Sequence, residues 1–239
     1  RLYYSLLKNK VPVLLSTEAT SLKIDNDRVI GAILNYKGQH KEIKVEYGTI
    51  LATGGLSNQP ELRKNLMPSS LLNNSPVVNS ATGDGFSLAK KLGGYLSLTP
   101  ESNSFWSPAS KRSRPDGSIA VFPHFVLDRG KPGAIAIDPN GNRFVNEATT
   151  YHLFGKALLK TLEHFPGRSC YLICDHNFIK KYGLGMIRPY CIGLSSSIKN
   201  GYVKKANSFE ILGNKINVPI NTLQSTISRY NSFVKSGID

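Results

Sequence analysis

Acidic residues are scarce in this chain: 16 Asp and Glu stand against 30 Lys and Arg, for a formal charge of +14 over 239 residues. Such an excess admits a polyanionic partner or an anionic membrane surface. The basic residues are scattered, however, with short clusters only at Lys111–Arg114 and Lys204-Lys205. No zinc-finger, RNA-recognition or basic-zipper pattern accompanies them, so a solvated basic surface with no specific nucleic-acid partner is expected. Cysteine is also scarce, at three. That odd, low count argues against a disulfide scaffold and suits a reducing compartment, read here as cytoplasmic. Cys170 and Cys174 share one face of a strand about 13 Å apart, too far to hold one metal ion; no metal is expected, and both read as buried small hydrophobes. Long apolar runs are missing too. The longest, such as Val11–Leu15, fall far short of the ~20 residues of a membrane span. No G-x-G-x-x-G phosphate turn occurs, and the first residue is Arg1 rather than Met, which suggests an internal piece of a longer protein.

What is present reads as an ordinary mixed globular chain, 40% hydrophobic with 21 Gly and 13 Pro. A stripe of Leu2, Tyr3, Leu6 and Leu7 predicts a helix over 2–9. Val11–Ser16 predicts a strand, and Ala19–Ile24, Arg28–Tyr36 and Lys41–Tyr47 predict an antiparallel meander with turns at Asp25–Asp27 and Lys37–His40. Gly48–Ala52 predicts a strand running into Thr53-Gly54-Gly55. Helices are expected over 58–65 and Asp84–Leu92, with a loop over 68–82. The stretch 99–132 reads as irregular. Gly133–Asp138 and Arg143–Val145 read as a hairpin around Pro139–Gly141. Further helices are expected at Tyr151–Leu162, 176–181, Asn207–Leu212 and Pro219–Val234, with a strand at 170–174.

Three segments carry candidate chemistry. Ile50–Gly55 is a strand ending in small residues and two glycines, where main chain can approach a ligand without side chains in the way; the alternative is a plain turn needing positive φ. Asn79–Gly85 places Asp84 between glycines at a helix start, where free N–H groups favour negative charge; Thr82 or Asp84 would equally serve as a helix cap. Gly141–Glu147 would deliver Arg143, Asn146 and Glu147 and then begin a helix with Tyr151 in its first turn. Asn146 and Glu147 can satisfy loop backbone groups. Tyr151 can give or take a proton there, although packing alone would also explain an isolated tyrosine.

Taken in order, Leu-Ala-Thr-Gly-Gly at 51–55, Ala-Thr-Gly-Asp-Gly at 81–85, Pro-Gly-Ala-Ile at 132–135, Gly-Asn-Arg-Phe-Val-Asn-Glu at 141–147 and Ile-Ser-Arg-Tyr-Asn-Ser-Phe at 227–233 resemble the FAD-dependent superfamily of fumarate reductases and 3-ketosteroid dehydrogenases. The resemblance implies an α/β (α+β) fold: a partial Rossmann-like FAD-binding domain at 1–66, an α+β cap or substrate domain at 67–202, and a return to the FAD-binding domain at 203–239. It places the phosphate turn upstream of Arg1 and a second flavin-contacting segment downstream of Asp239, in the rest of the parent chain. It implies FAD contacts at Ala19, Ala52, Thr53, Gly54, Gly55, Thr82, Gly83 and Asp84, and substrate contacts at Phe105, Trp106, Phe125 and Arg129. Where fumarate reductases carry a proton-donating arginine, this chain has Tyr151, and their His-Pro-Thr motif is replaced by Asn103–Pro108. Tyrosine at that place resembles the ketosteroid branch, in which it is the catalytic proton acceptor, and the aromatic residues suit a flat apolar carbonyl compound such as a steroid.

Three functions follow as expectations. The first is an FAD-dependent dehydrogenase acting on a C–C bond beside a carbonyl. The second is a fumarate reductase-like reductase of small enoates or dicarboxylates, against which Tyr151 counts. The third is a non-catalytic remnant or binding module.

Overall fold

The computed structural model describes residues 1–68, 71, 75–98 and 102–239. The chain is a mixture of helices and small sheets, and compactness divides it into two units. One comprises Arg1–Leu72 with Val77–Pro100, the other Asn73–Pro76 with Glu101–Asp239. This grouping differs from the family division at 66/67 and 202/203: residues 77–100 collect with the first segment, and 203–239 with the preceding one.

In the first unit, helix α1 (Leu2–Lys8) buries no residue. Strands β1 (Thr17–Asp25), β2 (Arg28–Tyr36) and β3 (Gln39–Lys44) form the expected meander, in the order β1-β2-β3 and antiparallel throughout. Both connections put two residues at positive φ, Asn26 and Asp27 in the first, Lys37 and Gly38 in the second. Such mirror-image turns match the right-handed twist of the strands they join. Helix α2 (Pro60–Leu66) starts with Gln59, whose side chain accepts a hydrogen bond from the Leu62 N–H at 2.6 Å, and it ends at Met67 before Pro68. Helix α3 (Asp84–Lys90) follows. Of the expected loop at 68–82, residues 69, 70 and 72–74 lie outside the described residues.

Two expected strands are absent. Val11–Ser16 and Gly48–Ala52 form no ladder among the described residues, and Ile50 is 92% exposed. Their apolar composition is that of a strand buried on both faces, but a strand exists only with a partner to take its N–H and C=O groups.

The second unit begins with a hairpin of β4 (Ala109–Ser113) and β5 (Ile119–Pro123), then the short helix α4 (Val126–Arg129). The stretch 99–132, of which 99–101 lie outside the described residues, is therefore not irregular. Its turn at Pro115-Asp116-Gly117 places Gly117 at φ 80°, and the Asp116 carboxylate accepts from Ser118 N–H and O–H at 2.9 and 2.7 Å. Strand β6 (Ala134–Ile137) also differs from expectation. The turn at 139–141 forms, but Ile137 makes only one bridge to Arg143. The ladder partner of β6 is β7 (Tyr171–Cys174), reached after helix α5 (Tyr151–Glu163).

Alternation on β6 explains its place. Ile135 and Ile137 pack with Ile216 of α8 (Phe209–Ile216), Leu223 of α9 (Ile220–Ser236) and Val218 of the turn between them. Ala134 packs with Phe178, Ile179 and Ile187, the first two on α6 (His176–Tyr182). Large residues meet the long helices and a small one admits Phe178. One further short helix, α7 (Leu194–Lys199), lies between α6 and α8 in the chain. Among the described residues no helix is long and apolar enough to cross a membrane.

Candidate flavin loop and aromatic site

In the first unit the structure joins the two glycine-rich segments. The Thr53 hydroxyl accepts the Gly85 N–H at 2.9 Å, and the Gly83 N–H donates to the Gly55 carbonyl at 3.1 Å. The Asn58 N–H adds a bond to the Ala81 carbonyl at 2.9 Å, so the turn after Ala52 is laced to the start of α3. Neither Thr82 nor Asp84 caps that helix. Gly83 occupies the cap at φ 83°, and the Thr82 hydroxyl bonds instead to the Asp84 carboxylate at 2.9 Å. A methyl group on Gly83 would press on Leu56 and Leu62 at 3.2 and 3.3 Å. Glycine is thus required both for the left-handed backbone and for the space.

Gly54 differs in its surroundings. Its φ is 85°, yet a Cβ there or on Gly55 would meet no atom within 4 Å. Among the described residues these glycines therefore leave the main chain bare. Ala52, Thr53, Gly54, Gly55, Thr82 and Asp84 are exposed on these segments, whereas Gly83 is buried. Ala19 stands apart from them, exposed on β1 and paired with Leu34 of β2. A bare main-chain surface of small residues fits the close approach of a flat cofactor, and the isoalloxazine of FAD meets that description.

In the second unit Tyr151 opens α5. The Thr150 side chain caps the helix by accepting the Leu153 N–H at 3.4 Å. The Tyr151 ring, 39% exposed, stands edge to face on Phe125 with centroids 5.3 Å apart. Phe105 makes a similar contact with His152 at 5.4 Å, and the His152 Nδ1 accepts the Trp106 N–H at 3.1 Å. Trp106 also lies directly on α5: a Cβ on Gly155 would come within 2.6 Å of its own Cβ. Phe105, Phe125, Val126, Leu127 and Leu153 are exposed around Tyr151 or next to its contacts in the chain.

Arg129 takes a different place from an open substrate contact. It is fully buried on α4, donating to the carbonyls of His124 (3.2 Å), Glu147 and Thr149 (2.8 Å), with its guanidinium 4.4 Å from the centroid of the Phe154 ring. Burial pulls its pKa down, against the opposing charges of Asp128 and Glu147. Glu147 in turn accepts the Ala136 N–H at 2.7 Å and grips Arg143, while the Asn146 side chain accepts the Ala148 N–H at 2.8 Å. The loop leading into α5 is thereby held from both sides.

Sequence reasoning missed a second polar cluster, near Phe125. His124, buried at the end of β5, bonds through Nδ1 to Asp128 Oδ2 at 2.7 Å and through Nε2 to Ser110 Oγ at 2.8 Å. Ser110 Oγ meets the Tyr202 hydroxyl at 2.6 Å. The Gly185 N–H donates to Asp128 Oδ2, and the Met186 N–H to the Tyr202 oxygen, both at 3.2 Å. Burial alone would raise the Asp128 carboxyl, but the hydrogen bonds from His124 and from backbone N–H groups hold it below the usual carboxylate range. A His-x-x-x-Asp spacing was the only local signal; Ser110 and Tyr202 are remote in sequence.

Residues 1–239 match the family profile described as FAD binding domain. The 4-oxocyclohex-2-ene-1-carboxylate 5-dehydrogenase of Sinomonas cyclohexanicum is 32% identical over 90% of this chain and 36% of its own length. A fumarate reductase (cytochrome) of Shewanella frigidimarina is 32% identical over all of this chain and 38% of its own. Among solved structures, the 3-ketosteroid delta1-dehydrogenase of Sterolibacterium denitrificans, in complex with 1,4-androstadiene-3,17-dione, superposes with a TM-score of 0.79 at 25% identity, covering 99% of this chain and 42% of that one. The chain thus spans well under half the length of these relatives.

Proposed function

This chain belongs to the FAD binding domain family, and on that premise we propose that it is part of an FAD-dependent dehydrogenase that removes hydrogen across a C–C bond next to a carbonyl, with Tyr151 as the proton-transfer residue. The observation that carries this reading is the position of Tyr151: first residue of a capped helix, its ring on Phe125, amid exposed aromatic and aliphatic side chains. FAD, when bound, supplies the two-electron acceptor.

Thr53, Gly54 and Gly55, with Thr82 and Asp84, would hold the cofactor against open main chain, and the buried Gly83 would shape the turn beside them. Residues 67–202 would act as the cap domain, and Phe105, Trp106 and Phe125 would offer a flat apolar face to a steroid-like carbonyl compound. In its ionised form Tyr151 would take a proton at its phenolate oxygen from the carbon beside the carbonyl. Arg129 serves this site by fixing the Glu147 and Thr149 carbonyls just ahead of Tyr151. Exposed apolar residues of the first unit, among them Leu2, Val11, Leu15 and Ile50, are surface that the rest of the parent chain would cover. Three free cysteines suit the cytoplasm.

The test is Tyr151→Phe in the complete protein. The ring and its contact with Phe125 survive and only the hydroxyl is lost. Turnover of a ketosteroid or cyclohexanone substrate should fall by about 10²-fold or more, the scale of one acid–base group, with flavin content unchanged. Near-normal turnover would assign Tyr151 to packing.

A further inference from the structure

The cluster around His124 contains the parts of a Ser-His-Asp triad, yet it is arranged for another task. In a hydrolytic triad the serine oxygen faces substrate and nearby backbone N–H groups stabilise an oxyanion. Here Ser110 Oγ already meets Tyr202, and the two neighbouring N–H groups, of Gly185 and Met186, are spent on Asp128 and Tyr202.

The proton directions can be worked out from the partners. Asp128 is ionised and only accepts, so His124 Nδ1 carries a proton and donates. In the neutral imidazole Nε2 then accepts, and Ser110 must donate to it. The Ser110 oxygen therefore accepts from the Tyr202 hydroxyl, whose own oxygen accepts from the Met186 N–H. One consistent chain runs from Met186 through Tyr202, Ser110 and His124 to Asp128. Protonating His124 breaks this order. Nε2 becomes a donor and Ser110 must accept from it; the Ser110 hydroxyl then either donates to Tyr202 or turns out of the chain, so one hydroxyl proton of the pair loses its acceptor in the chain.

The residue after His124 is Phe125, the ring against which Tyr151 stands. His124 is held by several neighbours. Its N–H reaches the Pro108 carbonyl at 2.7 Å, its carbonyl receives Arg129, Phe122 touches its ring edge to face at 5.3 Å, and a Cβ on Gly185 would lie 3.1 Å from its Cε1. The titratable and charged groups facing it are Asp128 and Arg129 from α4 and Tyr202 from beyond α7. Arg129 holds the other side of the aromatic pair through Glu147 and Thr149.

We propose that Tyr202, Ser110, His124 and Asp128 form a directional hydrogen-bond relay that positions Phe125, and through it Tyr151, according to the protonation of His124. These are positioning residues. The importance given to Tyr151 rests on the dehydrogenase reading above, but the relay does not, and its test reads no turnover.

The experiment is nuclear magnetic resonance on the complete protein with selectively labelled histidine, phenylalanine and tyrosine, the imidazole nitrogen shifts and the Phe125–Tyr151 aromatic contact being followed from about pH 8 to pH 5, the range in which histidine ordinarily titrates. At the upper end His124 should be the Nδ1–H tautomer. As His124 charges, Tyr151 ring shifts should move with the same midpoint and the Phe125–Tyr151 cross-peak should weaken. In His124→Gln, which cannot charge, both should stay flat. An Nε2–H tautomer, a His124 that keeps one protonation state across the range, or a Tyr151 ring that ignores its titration overturns the relay. Should His124→Gln fail to fold, the wild-type titration alone decides.

Discussion

At the scale of single residues, glycines with the same backbone conformation do different work. Gly83 and Gly54 both sit at positive φ, but Gly83 is walled by Leu56 and Leu62 while Gly54 opens onto nothing. Replacing Gly54 by Val forces a β-branched side chain into left-handed backbone, costing about 1–3 kcal/mol, and fills the open side. We expect Gly54→Val in the complete protein to lower flavin content about tenfold or more, read from visible absorbance per mole of protein, with the circular dichroism spectrum retained. Full flavin content would make the turn purely structural. The thiols provide a second prediction. Burial, aided by the charges of Asp138 and Asp175 respectively, pushes Cys170 and Cys174 each up to about 12. The folded state thus favours their neutral forms. The stability this contributes is present below the ordinary thiol pKa of about 8.5 and is lost as pH rises through about 12. The structure leaves both half-buried rather than buried, so at pH 8 each should react far more slowly with a thiol-specific disulfide reagent in the native chain than in denaturant. Peptide mapping after labelling reads the result, and rapid native modification of either would contradict the burial.

At the scale of elements, helix α5 works as a platform: Tyr151 at its head, Trp106 seated on Gly155, and His152 holding the Trp106 N–H. Gly155→Val would drive side-chain atoms into Trp106, which must leave. Because Trp106 is the single tryptophan, its fluorescence reports this directly. A red-shifted, more quenchable emission is expected with the far-ultraviolet helical signal nearly intact; unchanged emission would show that α5 and Trp106 are not so packed. How far such elements were legible in the sequence depends on what fixes them. The meander and the helices α2, α3, α5, α6, α8 and α9 are set by local spacing and punctuation, and they appear within a few residues of expectation. The hairpin β4–β5 had a local signal in Pro115-Asp116-Gly117, outweighed by the density of prolines around it. The pairing of β6 with β7 across α5 had none, since a ladder partner more than thirty residues away is chosen by packing. The same holds for the candidate sites. The Thr53–Gly55 and Gly83–Gly85 segments could be named one by one, and their mutual bonds could not. Arg129 was legible as important but not as buried, because its partners are carbonyls, which carry no residue identity.

At the scale of the whole molecule, the charge of +14 is dispersed, so contacts to phosphate should be numerous in kind but poor in specificity. Binding to an arbitrary DNA duplex should be detectable at about 50 mM salt and lost by about 200 mM, with no sequence preference in competition; tight binding that survives physiological salt would favour a dedicated nucleic-acid role. Cohesion is distributed quite differently from charge. Strand β6 carries Ile135 and Ile137 into one core and Ala134 into the other, and every residue of the strand is buried. Its Ala136 N–H is held by the Glu147 carboxylate, so that a side chain guards main chain here. A strand shared in this way cannot fray from one core and stay in the other. Its amides would exchange with solvent only when both cores open together, which makes β6 the slowest clock in its unit and couples every local loosening there to cooperative unfolding.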